Sequence, residues 1–214
     1  MFLTFLPILF TMFVVVDPFG LVPMYIGLTA RLDEAEKDRT IRKAVVTAFL
    51  VLSLFIVGGK WVLGALRVHP GSFFIAGGVM LFIVSLEMLF GQPTRSKVSV
   101  QENPAEDGEE RTSIAVFPLA IPMLAGPGAI TSILLFTSSD APFLPTAAML
   151  FVSAALILGV AAVAMKASSL VLRTLGRTGV SVIERIMGLL LSGLAVQFVY
   201  DGLAKLGIIA GGAA

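Results

Sequence analysis

Six long apolar runs set the rhythm of this chain, at about residues 2–30, 44–66, 71–91, 112–138, 143–169 and 182–209. Short polar stretches separate them. Each run reaches the ~20 residues that a helix needs to cross ~30 Å of hydrocarbon. The runs are continuous, and about twice as long as the ~10-residue alternating strands of an outer-membrane barrel, so the barrel is set aside. The pattern predicts an all-α membrane protein with six transmembrane helices, forming a single membrane domain over residues 1–214. The start, MFLTFLPILF, lacks a positive leader region and a small-residue cleavage motif, and is expected to be a retained first span.

Two runs are broken. In the first, VVVDPFGLVP places Asp17, Pro18 and Pro23 inside an otherwise apolar segment. Aspartate is a good N-cap and proline a good first helical residue, so Asp17-Pro18 predicts that one helix stops and another starts. The fourth run repeats the grammar in FPLAIPMLAGPGAITS. Pro118 and Pro122 disturb its first half, Gly126 is expected to end that half in a left-handed C-cap, and Pro127 to start the second. Both restarts are expected about midway through their spans.

The breaks belong to a larger self-similarity. Pro18 matches Pro127 at an offset of 109, and at an offset of 110 GGVMLFIVSLEMLF (77–90) lies against MGLLLSGLAVQFVY (187–200). Gly78 then meets Gly188, Leu81 meets Leu191 and Glu87 meets Gln197. This divides the chain into repeat one (1–91), a polar, acidic and solvated linker (92–111) and repeat two (112–214). Three spans per repeat put the second into the membrane upside down. That is the inverted-repeat plan of many secondary transporters, here with helices 1 and 4 broken.

Composition agrees with a membrane protein. Of 214 residues, 57% are hydrophobic and 14% charged, too few for a soluble surface. Twelve lysines and arginines fall in or beside the first, third and fifth loops, and only Lys60, Arg67 and Lys205 on the other side. The odd loops are therefore expected in the cytoplasm, and both termini outside a cell inner (plasma) membrane. Re-entrant hairpins at segments 1 and 4 would put strongly basic loops on both sides, which the same rule disfavours. Trp61 beside Lys60 is expected to anchor at the interface, and Lys166 to snorkel toward water. There is no basic patch with interleaved aromatics, so nucleic acid is not expected as a partner. There is no cysteine, and the single histidine, His69, reads as a plain loop residue. No metal, cofactor or catalytic residue is expected.

Unwound backbone deep in a membrane is tolerated only where protein buries it or it lines a wet cavity. Two restarted helices of opposite direction bring their N-termini, each with about half a positive charge and free N–H groups, toward one point. Such a pair suits a carboxylate, while Asp17 suits an ammonium group, a coupling proton or a sodium ion. The expected solute-binding residues are Asp17, Pro18, Gly20, Gly126, Pro127, Gly128, Thr131 and Ser132; Asp17, Glu87 and Gln197 are expected to gate or couple. The plainer readings stand beside these. Asp17 caps its helix, Pro18 kinks it, Thr131 and Ser132 bond their own helix, and Glu87 and Gln197 reach water at opposite ends of their spans.

VVVDPFGLVPMY, PLAIPMLAGPGAIT and ERIMGLLLSGLAVQFVYDGL together resemble the MarC family of bacterial and archaeal integral membrane proteins. The likeness covers nearly the whole chain outside the acidic linker. It implies a six-helix inner-membrane protein with two related halves, grouped with LysE-type exporters. Some relatives are described as transporters of small neutral amino acids such as alanine and glycine. The sequence thus favours a secondary transporter of a small zwitterion, with the lipid bilayer and a small solute as partners and a homo-oligomer left open. A lipid translocase or scramblase, and an accessory protein without transport of its own, stay open as alternatives. An intramembrane enzyme lacks a metal cluster, a Ser/Lys pair and a second mid-span carboxylate.

Overall fold

Prolines stand at the first position of two helices, Pro70 and Pro127, where the missing N–H costs nothing. The computed structural model describes residues 2–65, 67–90, 114–138 and 141–209, and every regular element among them is helical. In order these are α1 (Phe2–Val16), α2 (Leu21–Leu28), α3 (Glu34–Ala65), α4 (Pro70–Phe90), α5 (Ala115–Leu124), α6 (Pro127–Thr137), α7 (Phe143–Lys166) and α8 (Ser168–Lys205). The expected acidic linker at 92–111 lies outside the described residues.

Two helices are longer than the apolar runs that announced them. α3 begins in the charged loop, because Asp33 and Glu36 form a reciprocal capping box: Glu36 N–H donates to Asp33 Oδ1 at 2.7 Å, and Asp33 N–H to Glu36 Oε2 at 3.0 Å. α8 absorbs the expected fifth loop. Gly176, at φ 66° and ψ 175°, divides it into a short first part and a long apolar part, Thr178–Lys205. His69 sits in the loop before α4, where its Nδ1 accepts the Gly71 N–H at 3.1 Å and its carbonyl accepts that of Ser72 at 3.0 Å.

Among the described residues, four helices are long and apolar enough to cross a membrane: α3, α4, α7 and the second part of α8. A fifth span results if α1 and α2, bent by 40° at their junction, are taken together. The hydropathy pattern alone counts six. The difference lies in segment four, where α6 has 11 residues and α5 is interrupted twice.

α4 and α8 form the most extensive pair, antiparallel and seated on glycines. A Cβ at Gly71 would lie 2.7 Å from the Gly202 carbonyl oxygen, and one at Gly202 would lie 2.6 Å from that of Gly71. Further along, Gly78 faces Ala195 and Val199, and Gly188 faces Ser85, Met88 and Leu89. In lipid there is little hydrophobic force between helices, so close backbone approach of this kind supplies the packing energy. Lys205 adds its ammonium 5.4 Å above the Phe74 ring at one end of the seam.

The main core lies between α1, α2, α3, α5, α6 and α7, and includes Ile8, Met12, Leu52, Ile56, Leu119, Leu124, Ile133, Leu150 and Leu158. The buried ridge of α3 runs Ala44, Ala48, Leu52, Ile56, and α7 answers with Leu150, Ala154, Leu158 and Ala161. Leu50, Leu54, Val57, Leu144, Val163 and Leu189 point outward instead, as lipid-facing side chains do, and Trp61 is 83% exposed. Lys166 does more than snorkel, since its Nζ is 3.2 Å from Asp38 Oδ2 and ties the end of α7 to the start of α3.

The glycine seam predicts a sharp contrast between two single-methyl changes. Gly202→Ala is expected to destabilise by about 1–3 kcal/mol, as overpacking does. Gly193→Ala, on the same helix with nothing within 4 Å, is expected to be neutral or mildly stabilising. Thermal unfolding in detergent checks this, and equal shifts for the two variants would remove the seam from the account.

Candidate functional site

The first break is built by one residue doing two jobs. Asp17 N–H still donates to the Phe13 carbonyl at 3.0 Å, so α1 is helical up to that point. Asp17 then turns to φ 45°, the left-handed region that aspartate enters with less penalty than most residues, and the helix stops. Its Oδ1 accepts the Gly20 N–H at 3.2 Å, and its carbonyl accepts the Leu21 N–H at 3.3 Å. Asp17 therefore caps the turn at 18–20, but the helix itself restarts later than the sequence predicts: α2 begins at Leu21, with Gly20 at its N-cap and no side chain capping it. Gly20 has no side chain for a direct reason: a Cβ there would collide with the Asp17 carboxylate. Phe13 and Phe19 meet edge to face across the break, with ring centroids 6.1 Å apart, and hold its bend.

Asp17 is buried, with 8% of its surface exposed. Glu184 on α8 lies within its electrostatic reach. Among the described residues no cationic side chain pairs with Asp17.

The second break uses prolines differently. Phe117 (φ −131°, ψ 125°) and Ile121 (φ −129°, ψ 120°) are extended inside α5, and each immediately precedes a proline. The ring of a following proline disfavours helical backbone at the residue before it. α5 is accordingly wide, and it closes with an Ala125 N–H to Ala120 carbonyl bond of 2.9 Å, five residues apart. Gly126 departs from the conformation that the sequence suggests. It lies at φ −77° and ψ 172°, so it is the extended N-cap of α6 and not a left-handed C-cap of the helix before it. The wide last turn of α5 ends without a left-handed residue, leaving glycine's conformational freedom unused there. Pro127 starts α6 as expected, and no side chain caps this end. Its first N–H groups have no partner within the helix.

The two breaks meet. A Cβ on Gly128 would run into Leu81 of α4 and would lie 2.7 Å from Val15 Cγ1 of α1. Val15 is two residues before Asp17, so the end of α1 rests on the first turn of α6. Beyond the break, Gly20 faces Met88 of α4, about 10 Å further along that helix than Leu81. Only the second restart is thus level with the middle of α4, whereas the chain after the first has moved toward the α4 C-terminus. Pro18, Gly126 and Gly128 are buried, Gly20 is half-buried and Pro127 is exposed.

Thr131 and Ser132 are fully buried on α6. Thr131 Oγ1 donates to the Pro127 carbonyl and Ser132 Oγ to the Gly128 carbonyl, each at 2.8 Å. Their protons are committed to their own helix, and only hydroxyl lone pairs remain for anything else. Thr131 also packs on Gly77, where a Cβ would collide with it. Val15, Gly77 and Leu81 join the site without having been expected there. The doubled glycine at 77–78 is the one signal in the sequence that points to them.

Glu87 and Gln197, matched in sequence, differ in surroundings. Glu87 is half-buried near the end of α4, and its Oε2 is buried without a hydrogen-bond partner. Gln197 is exposed on α8, with Nε2 donating to Asp201 Oδ1 at 2.8 Å. Neither is hydrogen-bonded to Asp17 or to α6. Among the described residues, no group of three or more acidic or histidine side chains is placed to hold a metal ion.

The junction makes a specific demand on volume. Gly128→Ala is expected to cost about 1–3 kcal/mol by forcing Val15 and Leu81 aside. Leu81→Ala in the same chain should return part of that loss, a coupling that a double-mutant cycle of unfolding midpoints reads directly. Strict additivity of the two changes would show that Gly128 and Leu81 do not share this space.

Known proteins resemble this chain over nearly its whole length. The family model described as "MarC family integral membrane protein" matches residues 2–207. A UPF0056 membrane protein of Archaeoglobus fulgidus is 37% identical over 196 residues, covering 91% of this chain and 90% of the relative. Another, from Aquifex aeolicus, is 35% identical over 195 residues, covering 90% and 88%. One from Methanocaldococcus jannaschii is 33% identical over 193 residues, covering 90% and 92%. No solved structure matches. The match spans both broken segments and the α4–α8 seam, and this chain belongs to the MarC family of integral membrane proteins.

Proposed function

We propose that this protein is a secondary transporter of a small zwitterionic solute, a neutral amino acid of alanine or glycine size, coupled to protons or sodium. The observation that carries the proposal is the junction at Val15 and Gly128: the end of α1 rests on an uncapped helix start, and two residues beyond Val15 lies a buried acid with no cationic partner among the described residues. A carboxyl at such a depth is costly unless it is neutralised by a proton or compensated by a cation. The N–H groups of the α6 start suit the carboxylate of the solute, and Asp17 suits its ammonium group or the coupling ion. Gly126, Pro127 and Gly128 bring the backbone close to the solute, while Thr131 and Ser132 hold the α6 turn that presents it.

In this reading the molecule has six spans in two inverted repeats, with α1–α2 and α5–α6 as the broken first spans. The seam supports the repeat. Gly78 faces Ala195 and Val199, and the same contact shifted by 110 residues is Gly188 facing Ser85 and Leu89. Helix pairings support it as well: α3–α5 corresponds to α7–α1, α4–α6 to α8–α2, and α3–α6 to α7–α2. The basic loops favour an orientation with both termini on the outer face of the plasma membrane. Val15 and Leu81 close over Gly128, which makes the conformation a shut one. Alternating access then moves these two side chains off α6, with Glu87 and Gln197 toward the two mouths.

Counterflow in liposomes tests this whichever ion drives transport. Vesicles with the purified protein are expected to exchange alanine, glycine or serine faster than empty vesicles. Asp17→Asn keeps a side-chain acceptor for the Gly20 N–H but cannot ionise, so it should fold normally and flatten the pH dependence of exchange. An unchanged pH profile would remove Asp17 from coupling. No exchange across the panel by well-folded protein would sink the amino-acid reading and bring lipid translocation forward.

A further inference from the structure

Where Gly176 divides α8, a cavity of about 390 Å³ opens on the helix surface. Among the described residues it is lined by Thr178, Ser181, Val182 and Arg185. Their spacing puts all four on one stripe of the helix. The stripe offers two hydroxyls and a guanidinium. Arg185 is exposed, and no ion pair or hydrogen bond holds it among the described residues. A planar guanidinium beside two hydroxyls matches the oxygens of a phosphate group, which it can engage in a bidentate way.

The surroundings suit a phosphate carried by a lipid. Val182, Ile186 and Leu189 continue the same stripe toward the apolar length of α8, and all three are exposed. Leu170 and Leu175, on the short part of α8 before the elbow, are exposed too, and Arg173 stands between them. One helix face therefore carries a polar, cationic cavity followed by an apolar stripe. The cavity lies at the end of α8 that carries the basic loops. With the basic loops on the cytoplasmic side, as the orientation above has them, this end of α8 is level with the inner leaflet, whose anionic headgroups attract juxtamembrane arginines.

We propose that Thr178, Ser181 and Arg185 bind the phosphate of an anionic phospholipid, with its acyl chains along Val182, Ile186 and Leu189. This site is separate from the Asp17–Gly128 junction and does not rest on the transport reading. It anchors the start of the long part of α8, and with it the seam to α4.

Native mass spectrometry of the full chain in detergent, loaded with equal amounts of dioleoyl phosphatidylglycerol and phosphatidylcholine, tests the site. The wild-type protein is expected to keep phosphatidylglycerol preferentially. Arg185→Gln should reduce the retained lipid by about fivefold or more, and Arg185→Lys should keep part of it because the charge remains while the fork is lost. If Arg185→Gln is not monodisperse, the double variant Thr178→Ala/Ser181→Ala takes its place with the same expected loss. Equal retention of phosphatidylglycerol by wild type and a folded variant would overturn the proposal. So would displacement of the lipid by millimolar inorganic phosphate, which would assign the cavity to a free oxyanion.

Discussion

Lipid offers no hydrogen-bond partner to a peptide N–H or C=O, so a chain that interrupts its helices in the membrane must bury those interruptions against itself. The whole arrangement around Asp17 and Gly126 answers that constraint. Asp17 supplies its own carboxylate to Gly20 and its own carbonyl to Leu21. α5 widens until Ala125 reaches Ala120. What local bonding leaves open is covered by α4 and by the opposite break, with Leu81 and Val15 closing directly over Gly128.

Covering a break this closely requires rigid neighbours, and small residues provide them. The α4–α8 seam brings two backbones together at Gly71 and Gly202, and α4 keeps Gly77 on another face for Thr131 of α6. One helix thus packs in both directions by having no side chains where the neighbours approach. The same economy appears at Gly59 of α3, which receives Leu134 of α6. These contacts are dispersion forces summed over many atoms, each small alone and sensitive to a single added methyl group. The surface ion pairs contribute little by comparison, since Lys166 and Asp38 are both largely open to solvent and Glu34, the partner of Lys37, is almost fully so.

The junction also separates structural duties from chemical ones. Thr131 and Ser132 spend their protons inside α6, and Asp17 spends one carboxylate oxygen on its cap. The uncapped start of α6 and the remaining capacity of Asp17 are what the site has left to offer a ligand. Glu87 keeps a buried, unpartnered oxygen on α4, whereas its sequence counterpart Gln197 is satisfied on the surface by Asp201. Two positions matched at an offset of 110 along the chain thus lie in unlike polar surroundings.

The membrane class, the places where helices break and the capping role of Asp17 are legible in the sequence because they depend on local chemistry. Apolar run length, the Asp-Pro pair and the residues before Pro118 and Pro122 act within a few positions of themselves. Helix ends in the charged loops are less legible, since the Asp33–Glu36 box extends α3 into a segment whose hydropathy says loop. The conformation of Gly126 escapes a local reading because it depends on how the preceding wide turn closes. Which residues meet is barely legible, with the doubled glycine at 77–78 as the one hint. Val15 against Gly128, Gly77 against Thr131 and Asp38 against Lys166 join distant parts of the chain. In an apolar sequence many such contacts are chemically equivalent, and only the packing of whole helices in three dimensions chooses among them.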